Sequence, residues 1–452
     1  MEKSEKLKQN NIPTSIHTHA QESPCFELNL TTNEFLHSIA NNSLNNQTFF
    51  IYAKETCPRR SLDALKLQKY LIENNWQPAS NPQEASLIFV YTCGSFDHYE
   101  ELSVLTIEKA LKNKSAKVIV TGCLPKINPA RLNKYKTAYI MPPEDSRVDA
   151  PIQANFSYSE LNDSDAAQSI HDLHRGRLID RLTPNNLKNF ARYTLKRLFS
   201  LPKTQNYAQG VLFSKSTYRI EIGRGCLGDC SYCSIRIGMP PYESRPEEQI
   251  LEEFKSGLKE NYKTFALIAG DIGCYGFDIN TNLPSLLTKL FAQDGDYKIL
   301  LWDLNIRWFI KYHQAMLNVL KANSKKVERI IMPIQSGSYR ILKLMNRHYK
   351  IEEAKNCLQK LQNSIPEIHL ETQILVGFPG ETDEDFEKSL DLIREVKFDD
   401  IAIFPYEDRP GTTAQNMPNK VPQATIDTRK KILREEFNRN KRQRTNMQPS
   451  RD

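Results

Sequence analysis

The chain lacks long apolar runs. No stretch approaches the ~18 uncharged apolar residues of a membrane span, and the N-terminal MEKSEKLKQNNIPTS has no apolar core of the signal-peptide kind. We therefore expect a cytoplasmic protein without membrane contact. Strong charge of one sign is also absent. The net charge of +7 and pI near 8.7 suit a polyanionic partner but fall short of a strong nucleic-acid footprint.

The chain also lacks an even number of cysteines, which a fully paired set of disulfides would need. Nine cysteines occur in 452 residues, and an odd number without a secretion signal argues against a disulfide framework. Clustered cysteines in a reducing compartment more often bind metal or carry out redox chemistry. The length predicts two or three domains, and a hydrophobic content of 39% is enough for a real core.

Two alternating patterns of apolar strands and amphipathic helices predict an α/β protein. After residues 1–46, which read as a disordered arm, residues 47–140 alternate strands and helices as in a small parallel α/β domain. Residues 141–214 read as a linker with short helices. Residues 215–420 contain six strand–helix units, which favour a partial (β/α)6 barrel over the full eight-stranded form. Residues 421–452 read as a basic helix and tail.

Three cysteines lie at, or shortly after, the ends of the first three strands. These are Cys57, Cys93 and Cys123. Parallel strands present their carboxyl ends at one edge of a sheet, so the three thiols are expected together, as a metal site. The alternative is three unrelated buried thiols, because free cysteine is among the most buried residue types.

The loop after the first barrel strand reads GRGCLGDCSYC and contains Cys226, Cys230 and Cys233. Three thiolates at this spacing can hold three irons of a [4Fe–4S] cluster and leave the fourth iron open. A structural zinc site normally needs four protein ligands, and no fourth Cys or His lies nearby in the sequence. The loop's glycines would let the backbone wrap around the cluster.

This motif resembles the signature of the radical S-adenosylmethionine (SAM) superfamily, and the upstream three-cysteine domain is similar to that of its methylthiotransferases. The resemblance runs from about Thr48 to Arg429 and includes TCPRRSLD, YTCGSF, VTGCLPK, YESRP, MPIQSGSYRILKLMNRHY and ILVGFPGETDEDF. It implies a radical SAM barrel whose open iron binds SAM, and an auxiliary [4Fe–4S] cluster on the upstream cysteines. Reductive cleavage of SAM then yields a radical, and C–H becomes C–S–CH3.

The resemblance implies site residues position by position. The six cysteines would be ligands of two [4Fe–4S] clusters, and seven other residues would contact SAM or the substrate rim. These seven are Tyr232, Gly270, Asp271, Gln335, Ser336, Val376 and Gly377. Structural roles stay open for them: Tyr232 as a packing residue, Asp271 as a helix cap, and GFPGET as a turn with Thr382 as N-cap.

The implied substrate is a macromolecule, and both tRNA and a peptide or protein side chain fit. The motifs YGFDINTNLP and GCLP resemble those of the branch that modifies threonylcarbamoyl-adenosine in tRNA, whereas the absence of a barrel pattern at the C-terminus favours a peptide or protein. An auxiliary cluster that serves another reaction is a further alternative, as is an iron–sulfur protein without catalysis. The family also implies a small reducing protein, such as flavodoxin or ferredoxin, as electron donor.

The sequence departs from the family at three places. Thr56 precedes Cys57 where Gly is usual, and Arg60 takes the position of an Asn. Tyr91 also stands where Asn is expected. Finally, about 32 residues follow Lys420 and show no strand pattern, so the family's C-terminal β-barrel is not expected. The basic residues there could contact phosphates or simply form a solvated helix face.

Overall fold

The computed structural model describes residues 47–53, 57–141, 148–152, 154–155, 157–161, 214 and 216–447. The arm expected over residues 1–46, most of the linker over 141–214 and the end of the tail lie outside this part. Within the described part of the linker, two short helical segments occur, α4 (Asp149–Ile152) and a 3-10 turn at Tyr158–Glu160.

Five parallel strands form the first sheet, in the order β2-β1-β3-β4-β5. They are β1 (Thr48–Tyr52), β2 (Gln77–Pro78), β3 (Leu87–Thr92), β4 (Lys117–Gly122) and β5 (Ala138–Ile140). The helices of this domain are α1 (Pro58–Glu73), α2 (Asp97–Ala110) and the short α3 (Leu124–Ile127). Every residue of β3 is buried, since both faces of the sheet are covered by apolar clusters.

Six further parallel strands follow the chain order across the second sheet, from β6 at one edge to β13 at the other. They are β6 (Thr217–Glu221), β9 (Thr264–Ile268), β10 (Lys298–Leu301), β11 (Val327–Ile331), β12 (Leu370–Val376) and β13 (Asp400–Pro405). A small antiparallel hairpin, β7 (Gly223–Arg224) with β8 (Glu243–Ser244), was not predicted. The predicted α/β fold with a six-unit partial barrel is confirmed.

Helices follow the barrel strands as predicted, with three differences. They are α5 (Ile235–Gly238), α6 (Glu247–Lys259), α7 (Leu283–Phe291), α8 (Ile306–Lys311), α9 (His313–Ala322), α10 (Tyr339–Leu344), α11 (Ile351–Ser364), α12 (Asp383–Glu395) and α13 (Gln423–Met447). One predicted helix is two, α8 and α9, because Tyr312 leaves helical geometry. The short helices α5 and α10 were not predicted.

The basic C-terminal segment is the long helix α13, which lies along α12 and β13. Its inner face is formed by Ile426, Leu433 and Phe437, each at most 3% exposed, at the spacing of one helix face. Arg429 extends this face and pairs with Glu381 in the loop after β12, at 2.8 Å. The helix is therefore part of the barrel's packing.

The two domains share a packed interface. Leu62 of α1 lies against the inner face of the barrel sheet, beside Ala266, Ile331 and Trp302. The rings of Phe96 and Phe404 stack across the interface at 5.6 Å between centroids. No helix in the described residues is long and apolar enough to cross a membrane.

Candidate active site

The barrel's three-cysteine loop turns directly after β6. Gly225 has φ +72°, a conformation that favours glycine, and a Cβ there would meet backbone atoms at 2.7 Å. A Cβ on Gly228 would lie 3.2 Å from Cys226 Sγ and 3.8 Å from Cys230 Sγ. The glycine backbone therefore lines the space beside two of the thiols, as the motif predicts.

Electrostatics links the three thiols of this loop. Burial raises the pKa of Cys226 to about 12, and the charge of Asp271 and the thiols of Cys233 and Cys230 add to the rise. Burial followed by Cys230 raises the pKa of Cys233 to about 11. Cys226 and Cys233 are therefore neutral near pH 7 without metal, and iron binding must displace their protons.

Arg347 lies beside this loop, and no role for it was predicted. The side chain is buried, and Nη1 donates to Cys230 Sγ at 3.6 Å, while Nη2 donates to the carbonyl of Pro333. A buried guanidinium on a thiol can stabilise the negative charge that a thiolate ligand or a reduced cluster carries. The sequence signal for it was its place in MNRHY, which follows the QSGS motif after six intervening residues.

The upstream cysteines gather at one edge of the first sheet. Cys57 precedes α1, and Cys93 and Cys123 directly follow β3 and β4. Burial raises the pKa of Cys93 to about 12, and the neighbouring thiols of Cys57 and Cys123 contribute to that rise. The structure thus brings together three thiols that are 36 and 30 positions apart in the sequence.

Both cysteine groups border the same domain interface. A Cβ on Gly238, at the end of α5, would lie 2.9 Å from Cys123 Cβ. Ser234, next to Cys233, donates from Oγ to the carbonyl of Ser95 at 3.4 Å. The helices that follow Cys123 and Cys233, α3 and α5, pack against each other.

Gly270 and Asp271 follow β9, at the carboxyl end of the sheet. A Cβ on Gly270 would lie 2.1 Å from the carbonyl of Gly225, so only glycine allows this strand end to meet the cysteine loop. Asp271 is buried, and its carboxylate accepts from the backbone N–H groups of Gly273 and Asn305 and from Trp308 Nε1, at 2.9–3.1 Å. Capping of a 3-10 turn is therefore an observed role of Asp271.

Gln335 and Ser336 follow β11. Gln335 has φ +76°, is 7% exposed, and is tied through its backbone to Gln373 and Leu375 of β12. Its Oε1 has no hydrogen-bond partner among the described residues. A buried acceptor of this kind normally has a partner, so a donor of a bound ligand would complete it. Ser336 Oγ accepts from the backbone N–H of Ser338.

Tyr232, Val376 and Gly377 lie nearer the core than the rim. The ring of Tyr232 meets that of Phe378 edge-on at 6.4 Å, and Val376 is fully buried. Gly377 has φ +83°, and a Cβ there would collide with Ile426 of α13 at 2.3 Å. Thr382 is the N-cap of α12, with a full capping box. GFPGET is therefore a turn that leads into α12 with Thr382 as its N-cap, the structural role left open for it in the sequence.

Asp303, at the end of β10, was missed in the sequence. It has φ +59° and accepts from Gln373 Nε2 at 2.9 Å. Burial raises its pKa to about 6, and the nearby charge of Asp271 adds to the rise. A carboxyl group that titrates near neutral pH is a candidate for proton or substrate contact.

The donor chemistry fits iron–sulfur clusters. Each group consists of three thiols with a glycine backbone and a buried arginine beside them, Arg60 in one case and Arg347 in the other. Across the described ranges, no set of three or more His, Cys, Asp or Glu side chains is arranged to hold one metal ion.

Comparison with known proteins decides the family. Residues 220–393 match the Radical SAM superfamily, and residues 52–141 match the Uncharacterized protein family UPF0004. The ribosomal protein uS12 methylthiotransferase RimO of Carboxydothermus hydrogenoformans is 30% identical over 384 residues, 84% of this chain and 80% of that protein. The chain belongs to the radical SAM methylthiotransferases. This radical SAM methylthiotransferase is thus a transferase that uses an iron–sulfur cluster and SAM, as the resemblance implied.

Other similarities agree with this assignment. The probable threonylcarbamoyladenosine tRNA methylthiotransferase of Pyrococcus horikoshii is 29% identical over 381 residues, 83% of this methylthiotransferase and 81% of that protein. Among solved structures, the radical SAM methyltransferase TsrM from Kitasatospora setae aligns with a TM-score of 0.55. The alignment covers 82% of this chain and 77% of that one, at 12% identity. At that identity, the similarity supports the fold alone.

Proposed function

We propose that this methylthiotransferase uses two [4Fe–4S] clusters to place a methylthio group on threonylcarbamoyl-adenosine in tRNA. The observation that carries the two-cluster part is the meeting of two three-thiol groups at one interface, where Cys123 abuts Gly238. In this proposal Cys226, Cys230 and Cys233 hold the SAM-binding cluster, and Cys57, Cys93 and Cys123 hold the auxiliary cluster.

The chain's own residues would bind, orient and exclude water. When bound, the clusters and SAM supply the radical, the sulfur and the methyl group, chemistry that side chains cannot provide. Gln335 Oε1 would accept a hydrogen bond from SAM or the substrate. Gly270 would let the backbone approach the ligand closely. Leu62 and Trp302, packed across the interface, would keep the barrel interior dry.

Two observations support tRNA as the substrate. The Pyrococcus horikoshii relative is named for threonylcarbamoyladenosine tRNA. In addition, α13 contains eight Lys and Arg against three Asp and Glu, and Lys431, Arg439, Lys441 and Arg442 are exposed on it. Such a basic helix can contact phosphates, which makes binding strongly salt-dependent. A small reducing protein, such as flavodoxin or ferredoxin, would deliver the electrons.

Ribosomal protein uS12 is the second candidate substrate. It is favoured by the name of the Carboxydothermus hydrogenoformans relative, which is as similar as the tRNA-named one. On this alternative, an extended protein segment would reach the site and α13 would contact ribosomal RNA or solvent. The two candidates are separable because only one yields a modified nucleoside.

Anaerobic reconstitution with iron and sulfide, followed by turnover, tests the proposal. We expect about eight irons in the wild type and about four in the Cys57→Ala/Cys93→Ala/Cys123→Ala variant. With SAM, dithionite and threonylcarbamoyl-adenosine-containing tRNA, only the wild type should form a methylthio nucleoside, detected by mass spectrometry of digested tRNA. A uS12 peptide in a parallel reaction is the matched comparison.

Each outcome is informative. Four irons in both proteins would overturn the auxiliary cluster. A mass increase on the uS12 peptide, with unmodified tRNA, would overturn the tRNA assignment and leave the methylthiotransferase family intact. Loss of tRNA binding at raised salt in the wild type, and weaker salt dependence after Lys431→Ala and Lys441→Ala, is expected if α13 contacts phosphates.

A further inference from the structure

We propose that Arg60 sets the reduction potential of the auxiliary cluster and ties it to the SAM-binding loop. The inference rests on the two-cluster part of the proposed function. It concerns a position where the sequence departs from the family, since Arg60 stands where Asn is usual. Arg60 is a positioning residue in this proposal, acting on the cluster through a cysteine sulfur.

One guanidinium spans the two domains. Arg60 is 2% exposed and donates from Nε to Cys123 Sγ at 3.3 Å and from Nη2 to the carbonyl of Gly238 at 2.8 Å. Cys123 belongs to the upstream three-cysteine group, and Gly238 ends the helix that follows Cys233. A single side chain therefore contacts a proposed ligand of one cluster and the loop of the other.

Asp63 holds the guanidinium in place. Its Oδ2 accepts from Arg60 Nη1 at 2.7 Å, one turn along α1. The hydroxyl of Tyr91 donates to the carbonyl of Asp63 at 3.2 Å. Arg60 and Tyr91 are both departures from the family, and they meet at the same residue. The two changes therefore form one local arrangement.

Close packing fixes the distance between the guanidinium and the sulfur. A Cβ on Gly238 would lie 3.2 Å from Cys123 Sγ and 3.2 Å from Ile127 Cδ1. The space around the sulfur is thus filled by backbone on one side and by Arg60 on another. Because Arg60 and Cys123 are only 2% and 6% exposed, the N–H···S contact acts at low dielectric.

The direction of the effect follows from electrostatics. Reduction adds one negative charge to a cluster, and hydrogen bonds to its sulfurs together with nearby positive charge stabilise that state. Arginine stays protonated at any pH compatible with folding. Asp63 offsets part of the charge but leaves the N–H donor in place. Arg60 should therefore raise the potential of the auxiliary cluster.

The experiment titrates the auxiliary cluster alone. In a Cys226→Ala/Cys230→Ala/Cys233→Ala background, reconstituted anaerobically, the cluster is reduced stepwise with dyes and followed by electron paramagnetic resonance. We expect Arg60→Gln to lower the equilibrium constant for reduction about tenfold, which corresponds to ~59 mV for one electron. Arg60→Lys keeps the charge and loses the planar fork of donors. Its reduction potential should lie between those of the parent and of Arg60→Gln.

Lys69→Gln is the matched control. It removes a positive charge from the same helix, about 13 Å further along it, where Lys69 pairs with Glu73. Its potential should equal that of the parent. An unchanged potential in Arg60→Gln at full iron content would overturn the proposal, as would an equal shift in Lys69→Gln. If Arg60→Gln cannot hold the cluster, Arg60→Lys decides: a potential equal to the parent's overturns the proposal.

Failure of the proposed function gives a different result. If the background protein with Arg60 intact binds no iron, the upstream cysteines hold no cluster and the two-cluster proposal is wrong. The proposal on Arg60 fails separately, when iron binds fully and the potential does not respond to the arginine.

Discussion

At the scale of single residues, the carboxyl group of Asp303 links the site to pH. Its pKa in the folded protein is about 6, against an ordinary value of 3.8, because burial and Asp271 disfavour its charge. Between about pH 4 and pH 6 the folded state therefore binds more protons than the unfolded state. The contribution of this carboxyl group to the free energy of unfolding therefore falls as pH rises through that window.

Asp303→Asn should remove this pH-dependent decrease in the free energy of unfolding. Because Asp303 is partly exposed, solvent screening limits the effect to about 1–2 kcal/mol. Urea unfolding of the cluster-free protein at a series of pH values measures it, and the variant should gain stability relative to the wild type from pH 4 to pH 7. Asp296→Asn, at an exposed aspartate, is the control. Parallel pH curves for Asp303→Asn and wild type would contradict the expectation.

Residues with a local signal were predictable, and residues defined by tertiary contact were not. Spacing alone singled out Cys226, Cys230 and Cys233. Arg60 meets Gly238 from 178 positions away, and no periodicity encodes such a contact. Gln373, which donates to Asp303, likewise lies on another strand, 70 positions further along the chain. Only folding brings these side chains together.

At the scale of elements, the strands were predicted because each is an apolar run bounded by polar residues. The strands missed in the first sheet, β2 and β5, have two and three residues and lie at its edges, where little apolar surface is buried. The split between α8 and α9 was missed because apolar periodicity continues across Tyr312. Backbone geometry, which the pattern does not reveal, breaks the helix there.

The helix α13 depends on its apolar face for its position. Leu433 is fully buried against the barrel, so Leu433→Ala should reduce the unfolding free energy by about 2–5 kcal/mol through lost burial and a cavity. Lys431→Ala, on the exposed face of the same helix, should change it by less than about 0.5 kcal/mol. Thermal and urea unfolding measure both variants. Equal losses in the two would show that helix propensity, and not packing, determines stability here.

At the scale of the whole molecule, Arg409 joins the first domain to the barrel. Its side chain is 4% exposed, donates from Nη2 to the carbonyl of Gly94 at 2.8 Å, and pairs with Asp97 and Glu100. Gly94 directly follows Cys93. A few residues later, the backbone N–H of Ala414 donates to the carbonyl of Ser231 in the barrel's cysteine loop, at 2.8 Å. One segment after β13 thus contacts both cysteine groups.

Removal of this contact should let the domains unfold separately. In Arg409→Met, Glu100 loses a buried partner but keeps Arg131, so the change should cost less than the ~3–5 kcal/mol of a fully unpaired buried charge. Trp76 lies in the first domain, and Trp302 and Trp308 lie in the barrel. In the Trp302→Phe/Trp308→Phe protein, fluorescence follows unfolding of the first domain through Trp76. In the Trp76→Phe protein, it follows unfolding of the barrel. With Arg409 present, the urea midpoints of the two domains should coincide. In Arg409→Met they should separate, with Trp76 responding at lower urea.

Arg131→Met is the control, because it also removes a partner of Glu100, at 3.0 Å, but within the first domain. If it separates the midpoints equally, the loss of a charge on Glu100, and not the contact between domains, explains the effect.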